Sequence, residues 1–406
     1  MDQSIPEQRQ YSLTPPTECP LDEPRYFTEL RSQCPVSTVA VGDQSDVVLF
    51  TRYEDVKEIL SDTRFSSNPL TPGFPFQGAP GSDSPIVAQT MIRQDPPHHT
   101  KLRRMAAKDF IPKAVEAYRE FVTTTIDEHL DAMAATPSPL DFIEAFALSV
   151  PSAVISKVLG VPKADERGFQ ELTERVTTLS LTRDEQYAVI DEFTEYCYKL
   201  IALKEAHPAD DFVTKLTYER LHTGELTRVE LAAYIQMLVS AGHDTTAGMF
   251  GLSVLTLLTF PEQLELLKSG ARSWTIAIEE LVRQHSVVRM GPRRAATDDI
   301  QVGERLVRKG QGVIASILSA NHDEAVFGPT AFADFVIPET KRNHLGFGFG
   351  PHQCLGQTLA RLELGVGLPA LFQRYPDIRL VEKDLTALEF REGRAFFGLR
   401  KLMVQL

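Results

Sequence analysis

The stretch RVELAAYIQMLVSAGHDTTAGMFGLSVLTLLTF, residues 228–260, constrains this chain more than any other. Thr227 and Glu230 open it with the spacing of a capping box, and Pro261 starts a new segment after about residue 259. At ~1.5 Å per residue the helix is a rod of almost 50 Å. Apolar side chains lie nearly all round it, so it belongs buried at the centre of the fold. Yet its middle reads AGHDTTAG, residues 241–248. Burying Asp244, Thr245 and Thr246 is costly unless they are hydrogen-bonded. Threonine hydroxyls also bond back to carbonyls one turn earlier and loosen a helix. Two readings fit: a polar kink satisfied by water, or a proton-delivery site beside a flat ligand against Ala241 and Gly242.

The rest of the chain reads as mainly α with small β pieces near both ends. VSTVAV-GDQS-DVVLF, residues 36–50, has the alternation of a β-hairpin. Thr51 and Glu54 have capping-box spacing for a short helix, and Asp95-Pro96-Pro97 opens another, with an N-cap and prolines in its first turn. Residues 66–90 form a long Pro/Gly/Ser loop, a class that is usually functional or mobile. Short strands return over 297–318 and 386–406. About residues 1–15 are expected to be flexible, and no basic-then-apolar start marks a signal peptide. With 406 residues, two domains or one large layered domain are open. A net charge of −13 argues against nucleic acid, and no apolar run is long enough to predict a membrane span. The four cysteines are scattered, which suits a reducing cytosol rather than a disulfide framework or zinc cluster.

A second stretch, GFGFGPHQCLG, residues 346–356, concentrates glycine around one thiol. It is not a GxGxxG fingerprint: position 351 is proline, and no βαβ alternation surrounds it. Cys354 directly precedes an amphipathic helix, LGQTLARLELGVGLPALFQRY. The helix N-terminus favours a thiolate there, so a lowered pKa is expected. An isolated cysteine is more often an inert buried thiol. One thiolate, with glycines that let a planar partner approach, suits haem iron instead, and no other ligands are spaced for zinc.

Together these features resemble the cytochrome P450 family, haem-thiolate monooxygenases, over nearly the whole chain. Phe347, Gly350, Cys354 and Gly356 meet the haem-loop pattern F-x-x-G-x-x-x-C-x-G, with Gly348 and His352 as in bacterial members. Ala241, Gly242, Asp244 and Thr245 meet A-G-x-D/E-T, and Glu280 and Arg283 meet E-x-x-R. DPPHHTKLRR (95–104) and RAATDD (294–299) resemble the segments that carry propionate ligands. The wording HQCLGQTLARLEL is most like soluble actinobacterial members.

The resemblance implies a single domain over 1–406, with haem b between the long central helix and the helix after Cys354. Cys354 would be the axial iron ligand. His99, Arg103, Arg294 and His352 would hold the propionates, with Arg293 the neighbouring alternative to Arg294. Ala241, Phe347, Gly348 and Gly356 would line the haem. Thr245 would position water and Asp244 relay protons, with Thr246 the alternative hydroxyl and His243 packing. Glu280 and Arg283 would brace the cysteine loop. The family often adds an arginine in P-x-R-F, and here PTAF places Ala331 there.

No flavin or iron–sulfur motif is present, so the resemblance implies a ferredoxin and ferredoxin reductase as electron donors. Lys101, Arg104, Lys108 and Lys113 form a basic group in an acidic protein, either a ferredoxin docking face or a solvated helix face. The family pocket maps to Phe74, Phe76, Val239, Val287, Val288, Phe396 and Phe397, each of which also fits an ordinary core position. Arg289 meets a substrate acid or lies at the surface, the plainer reading. The implied activity is O2-dependent oxidation of a hydrophobic or aromatic small molecule by a cytoplasmic, soluble monomer, in secondary-metabolite biosynthesis. Xenobiotic oxidation and oxidative ring closure or coupling remain alternatives. So does a non-catalytic haem sensor, which would not need the Asp244–Thr245 pair.

Overall fold

The computed structural model describes residues 10–14, 16–75, 84–178, 180–391 and 396–406. The apolar run forms one helix, Arg228–Thr259. Its capping box is present: the Thr227 hydroxyl accepts from the Glu230 amide at 3.2 Å, and the Glu230 carboxylate accepts from the Thr227 amide at 2.7 Å. Phe260 ends the helix, and Pro261–Lys268 follows after a 102° bend. Helices Ser149–Leu159, Arg183–Ala206 and Gln357–Arg374 pack along the central rod. At its middle, Phe146 meets Phe250 edge-on at 5.3 Å and stacks on Phe142 at 5.3 Å. All three rings are fully buried. The expected mainly α architecture is therefore what these residues build.

The β pieces form three small sheets among the described residues. The hairpin Val36–Val41 and Gln44–Phe50 turns at Gly42 and pairs in antiparallel register from Val36 with Phe50. Gln44–Phe50 then runs parallel to Gly312–Ala315, which pairs antiparallel with Arg293–Ala296, and Phe65–Ser66 closes the edge. This sheet delivers Arg294 toward the cysteine loop. Met403–Gln405 pairs with Leu140–Asp141 and Arg379–Leu380, and Ile300–Val302 with Arg305–Val307.

Two local expectations are corrected. Thr51 and Glu54 do not cap the helix Tyr53–Ser61. Its N-cap is Arg52, and the Tyr53 amide donates to Asp323 Oδ2 at 3.0 Å. The Thr51 hydroxyl donates to the Pro35 carbonyl instead, at 2.8 Å. Asp95 does not cap the helix His98–Ala107, which begins after Pro97. Its carboxylate accepts from the Ser67 amide at 2.7 Å and from the Ser66 hydroxyl, pinning the start of the 66–90 loop. A residue distant in sequence caps the first helix, and residues distant in sequence take the Asp95 carboxylate away from the second, neither of which local spacing encodes. Most of the stretch expected to be flexible, residues 1–9 and 15, lies outside the described residues; of the rest, Tyr11 is buried, with its amide on the Ala40 carbonyl and its hydroxyl on the Met290 carbonyl.

His285 ends the helix Trp274–His285 and lies fully buried, its Nε2 2.8 Å from the Thr256 hydroxyl of the central helix. Burial, reinforced by Arg289 and Arg283, pushes its pKa from 6.5 to about 3. The unfolded chain takes up a proton below about pH 6.5 that the folded chain refuses, so stability falls as pH drops from there toward 3. At pH 5 this one group costs about 2 kcal/mol relative to neutral pH. His285→Gln should flatten that part of the slope in urea unfolding compared at pH 7 and pH 5.

Candidate active site

The cysteine loop is built against the rest of the protein. The Cys354 amide donates to the Phe347 carbonyl at 2.7 Å, folding 347–354 into a tight arch over the turn Gly350–His352. Gly350 has φ +68°, and a Cβ there would sit 2.3 Å from the Leu60 carbonyl oxygen. A Cβ on Gly346 would meet Val282 Cγ1 at 2.6 Å. These two glycines therefore admit neighbouring protein, not a macrocycle. Only Gly348 and Gly356 keep open space in front of them: the nearest atom to a Gly348 Cβ lies at 3.8 Å, and none lies within 4 Å for Gly356.

Gly356 is the N-cap of Gln357–Arg374. The backbone amides of Gly356 and Gln357 and the cations Arg103 and Arg361 all favour a Cys354 thiolate, but burial outweighs them and pushes the thiol up. The lowered pKa expected from the helix N-terminus is thus corrected. Cys354 keeps partial solvent access, yet dense protein around it sets the balance.

Beside the loop, four cationic or protonatable side chains converge. The rings of His99 and His352 lie 4.0 Å apart. Arg103 donates to the Gln353 carbonyl at 2.6 Å, which ties the helix His98–Ala107 to the residue before the cysteine. Arg294 is buried and donates to the Arg293 carbonyl at 2.8 Å, whereas Arg293 turns toward Met290 and Tyr11. Burial, then Arg294, His99 and Arg103, pushes His352 down to about 2, and burial lowers Arg294 to about 10. Burial and Arg103 lower His99 too. His352 Nε2 is 3.0 Å from the Ser67 hydroxyl, but both nitrogens of buried His99 lack a partner. The cluster suppresses its own protons and leaves donors unmet, the electrostatics of an anion site.

In the middle of the central helix, Ser240, Ala241, Gly242 and Thr245 interrupt an otherwise buried surface from Leu231 to Leu257. Ala241 and Thr245 share a face, and the Thr245 hydroxyl donates to the Ala241 carbonyl at 2.5 Å. Thr246 is buried, so Thr245 is the accessible hydroxyl. A Cβ on Gly242 would meet Ile155 Cδ1 at 3.2 Å, so Gly242 serves helix packing rather than a flat ligand.

Asp244 is buried and clamped. The Thr177 hydroxyl donates to its Oδ2 at 2.5 Å, and Arg391 Nη1 donates to Oδ1 at 3.2 Å. His243 Nδ1 also approaches Oδ1 at 3.2 Å, but its angle makes no hydrogen bond, and His243 packs inside as expected. Burial works against the Asp244 charge, yet His243, Thr177 and Arg391 together hold its carboxyl below the usual range.

The cytochrome P450 family model matches residues 275–383. Over 95% of this chain and 94% of the relative, the sequence is 39% identical to cytochrome P450-SU2 of Streptomyces griseolus. The chain belongs to the cytochrome P450 family. This P450 is also 38% identical to mycinamicin VIII C21 methyl hydroxylase of Micromonospora griseorubida, over 94% of this chain and 96% of that one. The crystal structure of that hydroxylase, MycCI, bound to mycinamicin VIII, aligns with TM-score 0.88 over 99% of both chains, at 37% identity. The structure of TxtC, a P450 described as hydroxylating thaxtomin, aligns with TM-score 0.89 over 95% of this chain and all of that one, at 34% identity. Membership makes the chain a monooxygenase with a haem cofactor.

The residues fit haem. Arg103 and Arg294, with the N–H groups of His99 and His352, would hold its two carboxylates. The lone Cys354 suits iron whose other ligands come from a macrocycle, since no group of three or more possible metal-binding side chains occurs among the described residues. Haem, when bound, supplies oxygen activation and one-electron chemistry.

The brace of this P450 is intact but differently completed. Arg283 Nε and Nη2 donate to Glu280 Oε1 at 3.1 and 2.7 Å, and Nη1 donates to the Asn321 carbonyl at 2.6 Å. Asn321 Oδ1 in turn accepts from the Leu345 amide at 2.7 Å, at the base of the cysteine loop. With Ala331 in place of arginine, Arg342 supplies the third partner, 3.7 Å from Glu280. Motif reading missed Glu279 beside it. His344 and Lys341 approach Glu279 Oε2 at 3.0 and 3.1 Å, while Arg361 forks onto both oxygens and stacks over Phe347 at 4.2 Å. Burial opposes the Glu279 charge, but His344 and Arg361 hold it well below the usual carboxylate range.

The expected pocket residues separate. Phe396 and Phe397 line a cavity of about 1280 Å³. The Val287 carbonyl accepts from the Phe397 amide at 2.9 Å, and Val288 is exposed. Val239 belongs to the main core, and Phe74 lies at the five-stranded sheet, its carbonyl accepting from Gln44. Phe76 lies outside the described residues. Arg289 is buried on the same cavity wall as Phe397, which corrects its reading as a surface residue. Arg391 and Thr177 carried no sequence signal, because only the folded chain brings them to Asp244.

Removing Arg283 leaves Glu280 buried and unpaired. Arg283→Ala should cost about 3 kcal/mol or more in unfolding of the haem-loaded protein. Arg342→Ala, at longer range and partly exposed, should cost less than about 1 kcal/mol.

Proposed function

We propose that this P450 oxidises a hydrophobic or aromatic small molecule of the natural-product class, using haem b and electrons from a ferredoxin and its reductase in the cytoplasm. The observation that carries the reading is Cys354 set beside the cluster of His99, Arg103, Arg294 and His352, in which buried His99 has no hydrogen-bond partner. The aromatic cavity lined by Phe390, Phe396 and Phe397 supports an apolar substrate. Relatives named for mycinamicin VIII and thaxtomin hydroxylation support a secondary metabolite. No single helix among the described residues is long and apolar enough to cross a membrane, which supports a soluble enzyme.

Lys101, Arg104, Lys108 and Lys113 are all exposed. Lys101 and Arg104 lie on, and Lys108 caps the end of, the helix whose inner face carries His99 and Arg103, next to the cysteine loop. An acidic ferredoxin docked there reaches the site over a short path, and charge attraction raises its on-rate. Reversing the charges of Lys101, Arg104 and Lys108 should weaken the salt dependence of reduction, and an unchanged rate would remove the docking assignment.

In this reading Thr245 holds water at the open face of the central helix, and Asp244 passes protons inward when its clamp to Arg391 and Thr177 loosens. The reduced protein with carbon monoxide should show the red-shifted thiolate Soret band; an imidazole-type band would overturn the ligand assignment. Asp244→Asn should lower product formation by about 100-fold. Thr245→Ala should keep consuming oxygen while releasing peroxide, and fully coupled turnover in that variant would overturn the proton route.

A further inference from the structure

Arg289 is a buried cation with no carboxylate paired to it. It is 3% exposed, and a single nitrogen, Nη2, donates to the protein, to the Leu21 carbonyl at 3.3 Å. Nε and Nη1 are buried with no hydrogen-bond partner. The Phe397 ring covers the guanidinium, its centroid 3.3 Å from Cζ. The nearest carboxylates are committed elsewhere. Glu23 accepts from Arg31 at 2.7 Å and from Thr28 at 2.9 Å, and Asp22 accepts from the Phe332 amide at 2.6 Å. Burial lowers Arg289 only to about 9, so it stays charged at neutral pH. Unmade bonds on a buried charge are costly, and the Phe397 ring face with the more distant Glu23 and Asp22 offsets only part of that cost.

The same side chain lines the large cavity between Leu13, Pro16 and Pro20 of the N-terminal segment and the C-terminal hairpin, whose described residues are Leu388–Arg391 and Phe396–Arg400. The other arginines of that wall are neutralised: Arg391 by Asp244 at 3.2 Å, and Arg400 by Glu389 at 3.3 Å. The lining carboxylate Glu174 accepts from Gln170 at 3.2 Å. Arg289 is the cation left over, set among Phe390, Phe396 and Phe397.

We propose that Arg289 is a specificity-determining residue that takes the carboxylate of a hydrophobic acid, so that the substrate class is an apolar or aromatic carboxylic acid. This rests on the reading above that the enzyme oxidises a hydrophobic small molecule. A carboxylate is the acceptor that both neutralises the guanidinium and satisfies its open N–H groups. The hairpin aromatics take the apolar body, and the Phe397 ring swings aside to admit the acid.

The test uses the haem-loaded protein and two probe pairs, 4-phenylbutanoate and dodecanoate, each against its methyl ester. Dissociation constants come from equilibrium dialysis and from Soret titration. The acids should bind at least about tenfold more tightly than the esters. Arg289→Gln should erase that difference while leaving ester binding in place, and Arg289→Lys should keep part of it. Equal binding of acid and ester by the unaltered protein overturns the inference alone. So does a preference that survives Arg289→Gln. Failure of acids and esters alike overturns it together with the hydrophobic-substrate reading. If Arg289→Gln does not load haem, Phe397→Leu carries the test. Uncovering the guanidinium should raise the acid-to-ester ratio several-fold, and an unchanged ratio overturns the proposal.

Discussion

Everything in this P450 is arranged around burying a 32-residue helix that has a polar centre. Apolar side chains alone would make Arg228–Thr259 an inert axle. Asp244 makes it chemically useful, and a buried carboxylate survives only with partners. Those partners come from two other elements: Thr177 just after the helix Glu166–Val176, and Arg391 in the C-terminal hairpin. Satisfying one acid therefore ties three distant parts of the chain to one point. The hairpin is held close there, since a Cβ on Gly248 of the central helix would meet the Phe397 carbonyl at 2.8 Å.

The cysteine loop depends on a second set of buried charges. Arg283 joins Glu280 to the Asn321 carbonyl, and Asn321 holds the Leu345 amide. Glu279 gathers His344 and Arg361, and Arg361 lies over Phe347. Successive residues on one helix thus grip the loop from two sides, one at its base and one at the ring expected to screen the sulfur. This explains how Ala331 is tolerated where the family often has arginine. Arg342 reaches Glu280 from another loop, and the cationic count around the carboxylate is kept.

Charge is also what distinguishes the two ligand-facing regions. The His99–Arg103–Arg294–His352 cluster is compact, buried at His99 and Arg294, and suited to the two carboxylates of a cofactor. Arg289 is a single cation under an aromatic cover at the cavity wall, suited to one carboxylate of a smaller molecule. Both carry donors the protein leaves unmet, and in both burial has driven down the affinity of the groups for their own protons.

The sequence by itself determined the elements whose signal is local. The capped apolar helix, the hairpin over 36–50, the cysteine arch and the Glu280–Arg283 pair are all read from residues a few positions apart. Their physics acts over one turn of backbone. Only the tertiary structure decided the rest. Asp323 caps the helix at Tyr53 although Thr51 and Glu54 have the right spacing, and Asp95 pins Ser67 rather than its own helix. Arg391 meets Asp244 across 147 positions, and burial raises the Cys354 thiol against its helix terminus. Arg289 reads as a surface arginine until Leu21 and Phe397 close over it. Desolvation and long-range pairing set these outcomes, and both depend on which segments the fold brings together, a quantity that spacing along the chain does not carry.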